Sequence, residues 1–96
     1  MKTALVTGAS RGIGLAIAQE LGRNGYQVAI MATREECFYP ESIKILRETG
    51  VTYTWHAGDI GRSEDRTRIV QEVVDKFGEI HVLVNNAGVA PKVRAD

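Results

Sequence analysis

Three glycines, Gly8, Gly12 and Gly14, stand where a short apolar run, "TALVT" at 3–7, hands over to a segment of helical periodicity. A helix starting there leaves its first N–H groups without intrahelical partners, and its dipole adds partial positive charge at the same end. Both favour an anion such as a pyrophosphate. Each glycine then has its own use. Gly8 permits a tight exit from the strand, Gly12 lets an anion approach the backbone closely, and Gly14 lets the helix pack near the strand. Ser10 adds a hydroxyl donor and Arg11 a guanidinium, with Ile13 in the same turn. The order is Thr-Gly-x-x-x-Gly-x-Gly, not G-x-G-x-x-G. Its place at a strand-to-helix junction is what points to phosphate binding.

Three further groups fall at strand ends: Thr33-Arg34 after the second strand, Asp59-Ile60 after the third, and "NNAG" at 85–88 closing the fourth. Asparagine side chains satisfy backbone groups at a sheet's edge, so Asn85 reads as scaffold and Asn86 as the contact residue. Other reactive types lead nowhere. Cys37 is the sole cysteine and has no activating base in its neighbourhood of sequence. His56 and His81 lack metal-ligand spacing and read as structural or solvent-facing. Tyr53 and Trp55 alternate on one strand face and read as packing residues.

The elements that must position these groups alternate. Strands are expected at 3–7, 27–33, 51–57 and 80–86. Helices are expected over 13–23, with Ile13, Ala16, Ile17 and Leu21 as its apolar side, over 42–47 with Ser42 as cap and Gly50 as stop, and over 63–77. Gly61 is expected to loosen the turn ahead of the third helix. Strand–helix alternation at this spacing implies a parallel sheet with right-handed crossovers. The fold class is α/β: a Rossmann-type parallel sheet, βαβαβαβ, as an incomplete three-layer α/β/α sandwich.

The 96 residues carry 12 Lys and Arg against 12 Asp and Glu, a net charge of zero that offers no case for nucleic acid or an anionic membrane as partner. A single cysteine excludes an intrachain disulfide. No apolar run approaches the length of a membrane span, about 18 residues, and no signal-peptide core is present. A cytoplasmic location is expected.

"TGASRGIG" at 7–14 together with "NNAG" at 85–88, and the run "GEIHVLVNNAGV" leading to the latter, resembles the short-chain dehydrogenase/reductase family over almost the whole chain. Within it the wording is most similar to bacterial 3-oxoacyl-[acyl-carrier-protein] reductases of fatty acid biosynthesis. The resemblance implies a nicotinamide dinucleotide cofactor. It implies that Asp59 hydrogen-bonds the adenine amino group while Ile60 packs near the ring, and that Asn86, Ala87 and Gly88 pass beneath the cofactor's ribose. A basic residue at Arg11 and a non-acidic one at Thr33, followed by Arg34, imply NADP. An acid at the end of the second strand would instead hydrogen-bond the 2′-hydroxyl of NAD. Glu35 and Glu36 offset the positive charge, so NAD remains the alternative.

In the family, a tyrosine, a lysine four positions later and a serine carry the proton chemistry. Here the residues four places after Tyr26, Tyr39 and Tyr53 are Ile30, Ile43 and Ala57, so no Tyr-x-x-x-Lys occurs. The expectation is therefore the cofactor-binding N-terminal part, residues 1–96, of a longer homo-oligomeric enzyme. That parent would act on a small carbonyl compound or an acyl carrier protein thioester. No catalytic residue and no metal ligand are assigned to this chain. The alternative is a non-catalytic nucleotide-binding or interaction module.

Overall fold

The computed structural model describes residues 1–86. In chain order the elements are β1 (Lys2–Thr7), α1 (Gly12–Arg23), β2 (Tyr26–Ala32), a 3-10 turn (Glu36–Phe38), α2 (Pro40–Thr49), β3 (Tyr53–Ala57), α3 (Ser63–Phe77) and β4 (Val82–Val84). All strand pairs are parallel, in the order β3-β2-β1-β4. The α/β Rossmann-type reading holds. The chain steps outward from β1 through β2 to β3, then returns to the far side of β1. Between β1 and β4 the strand order reverses, and doubly wound sheets bind ligands beyond the strand ends at such a point.

Burial explains the strands' composition. Val6, Val28 and Ile30 pack with Leu15 and Ala18 of α1 and Ile43 and Leu46 of α2 on one face. Leu5, Ala29 and Met31 meet Ile69 and Val73 of α3 on the other. A strand covered on both faces reads as a continuous apolar run, as "ALV" and "VAIMA" do. Ile30, Leu46 and Ile69 are fully buried, and each such burial contributes about 1.5–3 kcal/mol relative to exposure.

Several boundaries and faces differ from those expected, each for a local reason. The buried side of α1 is Gly14, Leu15 and Ala18, with Ile17 and Leu21 alongside, while Ile13 is 72% exposed and Ala16 also faces out. Close approach of Gly14 to the end of β1 sets that rotation. Ser42 is not the cap of α2. Tyr39 is, with Pro40 in the first turn, and the Ser42 hydroxyl donates to the Ser10 carbonyl. Pro40 suits a first helical turn because no N–H partner is needed there. Ile45 lies largely outside the core.

The third strand starts at Tyr53 because Val51 donates its N–H to the Leu46 carbonyl, closing α2, and packs its side chain against Gly22. Gly50 ends α2 in the left-handed region (φ +78°), as its position in the sequence suggests. The fourth strand is only three residues. Ahead of it His81 Nδ1 accepts the Thr3 N–H at 3.0 Å, a side chain taking a backbone acceptor's place, and after it Asn85 and Asn86 turn their side chains to β1. Among the described residues β4 is an edge strand. Its Leu83, with Leu5, Ile60, Val70 and Ile80, lines an apolar cavity of about 120 Å³.

No helix among the described residues is long and apolar enough to cross a membrane. No group of three or more metal-ligating side chains forms among them.

Candidate functional site

The glycine turn bridges the C-terminal end of β1 and the start of α1. Gly8 and Gly12 both have positive φ, +66° and +62°, where a side chain is strained. A Cβ on Gly12 would meet nothing within 4 Å, so open space lies before its backbone. Gly14 is the opposite. A Cβ there would fall 2.2 Å from the Gly8 carbonyl oxygen, 2.8 Å from Ala9 Cα and 2.7 Å from Asn86 Nδ2. Gly12 leaves room above the turn and Gly14 removes all room beneath it. The N-cap, Arg11, makes no side-chain cap bond, and the first turn of α1 holds no acid. An anion is thus the natural complement of those N–H groups.

Asparagine side chains tie the turn to β4. The Asn86 amide donates to the Gly8 carbonyl at 3.1 Å, and the Thr7 hydroxyl contacts Asn85 Oδ1 at 3.2 Å and the Val84 carbonyl at 3.4 Å. Asn86 therefore holds the turn as well as standing beside it. Ala87 and Gly88 lie outside the described residues.

Gly8, Thr33, Asp59 and Ile60, named from sequence, come together around one cavity of about 90 Å³, with Gly58 also in its wall. The ladder continues past the strand ends to build it: Gly8 N–H donates to Met31 O, and Gly58 N–H to Ala32 O. Gly58 was not singled out from sequence. A Cβ there would lie 2.8 Å from Ile69 Cδ1 and 3.0 Å from Arg68 Nη2. Its signal was a glycine directly after an apolar strand.

Asp59 is partly committed within its own turn. Its Oδ1 accepts the Gly61 N–H at 2.8 Å, and its own N–H donates to Asp65 Oδ2 at 2.8 Å. Gly61 accordingly sits in a closed Asx turn, not a loosened one. The Asp59 N–H holds the Asp65 carboxyl below its ordinary value, with Arg68 and Arg62 adding to the effect.

Arg11 and Ser42 line a second hollow, of about 250 Å³, with Phe38, Tyr39, Pro40 and Glu41. Arg34 does not line that hollow; its guanidinium carbon lies 5.0 Å from the centre of the Phe38 ring, a cation–π distance. Phe38 thus borders the Arg11 hollow and carries the Arg34 guanidinium against its ring.

Both histidines are bonded within the fold, His81 to the Thr3 N–H. His56 is buried, its Nδ1 2.8 Å from Glu72 Oε1 and its Nε2 2.8 Å from the Thr54 hydroxyl. That His56 bond, aided by Arg68, holds the Glu72 carboxyl below its ordinary value. Cys37 is exposed in the 3-10 turn.

A parallel sheet whose first strand runs through a glycine turn into an uncapped helix, at the point where strand order reverses, defines a Rossmann-type dinucleotide fold. The sequence matches the profile of the short chain dehydrogenase family over residues 2–96, and the chain belongs to that family. It is 38% identical over 88 residues to the 3-oxoacyl-[acyl-carrier-protein] reductase FabG of Staphylococcus epidermidis, covering 92% of this chain and 36% of that protein. Among solved structures, an actinorhodin polyketide ketoreductase with NADPH has a TM-score of 0.81 at 41% identity, covering 88% of this chain and 32% of that one. A metagenomic short-chain oxidoreductase in complex with NADP gives 0.78 at 36% identity, covering 88% and 38%. The chain spans about a third of the length of the relatives it matches.

Proposed function

We propose that this chain is the dinucleotide-binding part of an NADP(H)-dependent oxidoreductase that reduces a carbonyl group, with a 3-oxoacyl thioester on acyl carrier protein as the substrate class. The observation that carries the reading is the start of α1: positive-φ glycines, open space before Gly12, Arg11 at the N-cap and no acid in the first turn. These residues fit a pyrophosphate, and the solved relatives with NADPH and NADP support a nicotinamide dinucleotide. When bound, that group supplies a hydride.

The chain's own residues then bind and orient. The N–H groups of residues 12–14 and the Ser10 hydroxyl take the pyrophosphate, and Gly12 permits its approach. Asp59 and Ile60 border the cavity for the adenine, where the Asx turn leaves Asp59 Oδ2 to accept from an amino group. Arg11 and Arg34 face the 2′-phosphate. Thr33 stands where an acid would otherwise select the free 2′-hydroxyl. Asn86 holds the Gly8 carbonyl and so the turn itself. The choice of the acyl carrier protein thioester rests on the likeness to FabG. No Tyr-x-x-x-Lys occurs among the 96 residues, so the reading gives these residues binding roles and none of the proton transfer.

The test is titration of NADPH and, separately, NADH into the purified chain, followed by cofactor fluorescence, with Arg11→Ala beside it. Saturable binding that prefers NADPH and loses that preference in Arg11→Ala is the expected result. Equal affinity for both cofactors would refute the NADP assignment, and no binding of either would refute the cradle.

A further inference from the structure

Arg34 is followed by Glu35 and Glu36, and carboxylates beside a 2′-phosphate would oppose its binding. The fold sets Glu36 apart from Arg11. Glu36 does not line the Arg11 hollow. It lines a different cavity, of about 460 Å³, on the α2 side, together with Lys44 and Arg47. There Glu36 Oε2 accepts the Tyr53 hydroxyl at 3.2 Å. Glu41 is the one carboxylate among the described residues lining the Arg11 hollow.

Tyr53 and Trp55 are two apart on β3, so both side chains rise on the face that α2 covers. Trp55 reaches the same connection from below. Its Nε1–H donates to the Arg34 carbonyl at 2.8 Å, and its ring lies 5.4 Å from that of Tyr39. The segment 34–39 is otherwise an exposed 3-10 turn with no buried residue in Glu36–Phe38. Beyond its own backbone bonds, Phe38 N–H to Glu35 O and Tyr39 N–H to Glu36 O, the side chains of β3 tie it to the sheet. Burial raises the Tyr53 hydroxyl's pKa and the Glu36 carboxylate raises it further, as close contact between the two requires.

We propose that Tyr53 and Trp55 are positioning residues for cofactor selectivity: Trp55 fixes the Arg34 backbone, and Tyr53 draws the Glu36 carboxylate away from the 2′-phosphate hollow. The inference rests on the NADP reading above and deepens it. Selectivity is set by the third strand, acting through the loop after the second.

The experiment measures Kd for NADPH and NADH on the full chain, wild type and variants, and reads their ratio. Arg34→Ala collapses a wild-type preference for NADPH. Tyr53→Phe keeps the ring and removes the hydroxyl. It is expected to lower the preference about two- to fivefold through weaker NADPH binding alone, the size of a partly screened surface charge. Glu36→Gln added to Tyr53→Phe restores the preference, which a merely structural role for Tyr53 does not allow. Trp55→Phe lowers the preference too, and Glu36→Gln does not restore it. If Arg34→Ala collapses the preference but Tyr53→Phe leaves it intact, or Glu36→Gln fails to rescue, charge diversion by Tyr53 is overturned while the cofactor reading stands. If Trp55→Phe weakens both cofactors equally or neither, the role of Trp55 is overturned. A wild-type chain with no preference for NADPH, or no binding, removes the cofactor reading and this inference with it.

Discussion

The junctions β1–α1 and β3–α3 both carry a parallel strand into a helix at the same edge of the sheet, yet they differ in the charge at the helix start and in how the turn is closed. After β3 the turn closes on itself. Asp59 accepts from Gly61, Asp65 accepts from Asp59, Arg66 donates to the Ile60 carbonyl at 2.7 Å, and Glu64 and Asp65 place negative charge at the helix start. After β1 no acid enters the first turn; Arg11, like Arg62 at the start of α3, makes no side-chain cap bond, so charge and not capping separates the two. Two glycines are in positive φ and a third touches backbone. The difference teaches where a ligand belongs. A helix start furnished with its own carboxylates has little left for an anion, and one without them invites it.

The largest separation between the two turns is expected from Gly14→Ala. The added Cβ would meet backbone at 2.2 and 2.8 Å, and neither Gly8 nor Ala9 can move without dragging β1. A loss on the order of 3 kcal/mol is expected in denaturant unfolding, at the upper end for overpacking. Gly12→Ala is gentler on the fold and harsher on the ligand. Its φ of +62° costs about 1–2 kcal/mol in stability, while the methyl enters the open space before the turn. NADPH binding measured by fluorescence should weaken at least about tenfold, a cost of about 1.4 kcal/mol.

Acid then discriminates the junctions the other way. The carboxyls of Asp65 and Glu72 lie below their ordinary values of 3.8 and 4.5, so their contributions are complete above those values. They are lost as pH falls through the lower folded values, because the unfolded chain takes up protons first. Residues 8–14 hold no carboxylate. Stability followed by circular dichroism should therefore decline beneath about pH 4.5, and Glu72→Gln should flatten part of that decline. The smallest effect is Gly61→Ala. Its Cβ would lie 3.3 Å from Asp59 Oδ1 and no positive φ is involved, so a change within about 0.5 kcal/mol is expected. A loss there as large as that of Gly14→Ala would erase the contrast between the turns.

How far the sequence disclosed this varies with the kind of interaction. The strands and the helix order were legible because burial on both sheet faces writes continuous apolar runs, and the glycine turn because its position between two periodicities is local information. What was not legible depended on partners distant in sequence. Ser42 looks like a cap until the Ser10 carbonyl, 32 residues away, takes its hydroxyl. Val51 looks like strand until its N–H closes α2. Ile13 looks like core because helical spacing gives a face but not its rotation, which close packing at Gly14 decides. In the candidate site, the separate glycines, arginines and Asp59 could be named, but not that Arg34 lies against the Phe38 ring or that Tyr53 takes up Glu36.

The most direct measurement is the backbone amide spectrum of the isotope-labelled chain, by NMR, with and without saturating NADPH. We expect the amides of residues 8–14 to shift most, those of 33–34 and 58–60 to follow, and those of 63–66 at the start of α3 to stay in place. Shifts centred on the α3 start with the glycine turn unmoved would contradict the assignment of the acid-free β1–α1 junction as the dinucleotide site.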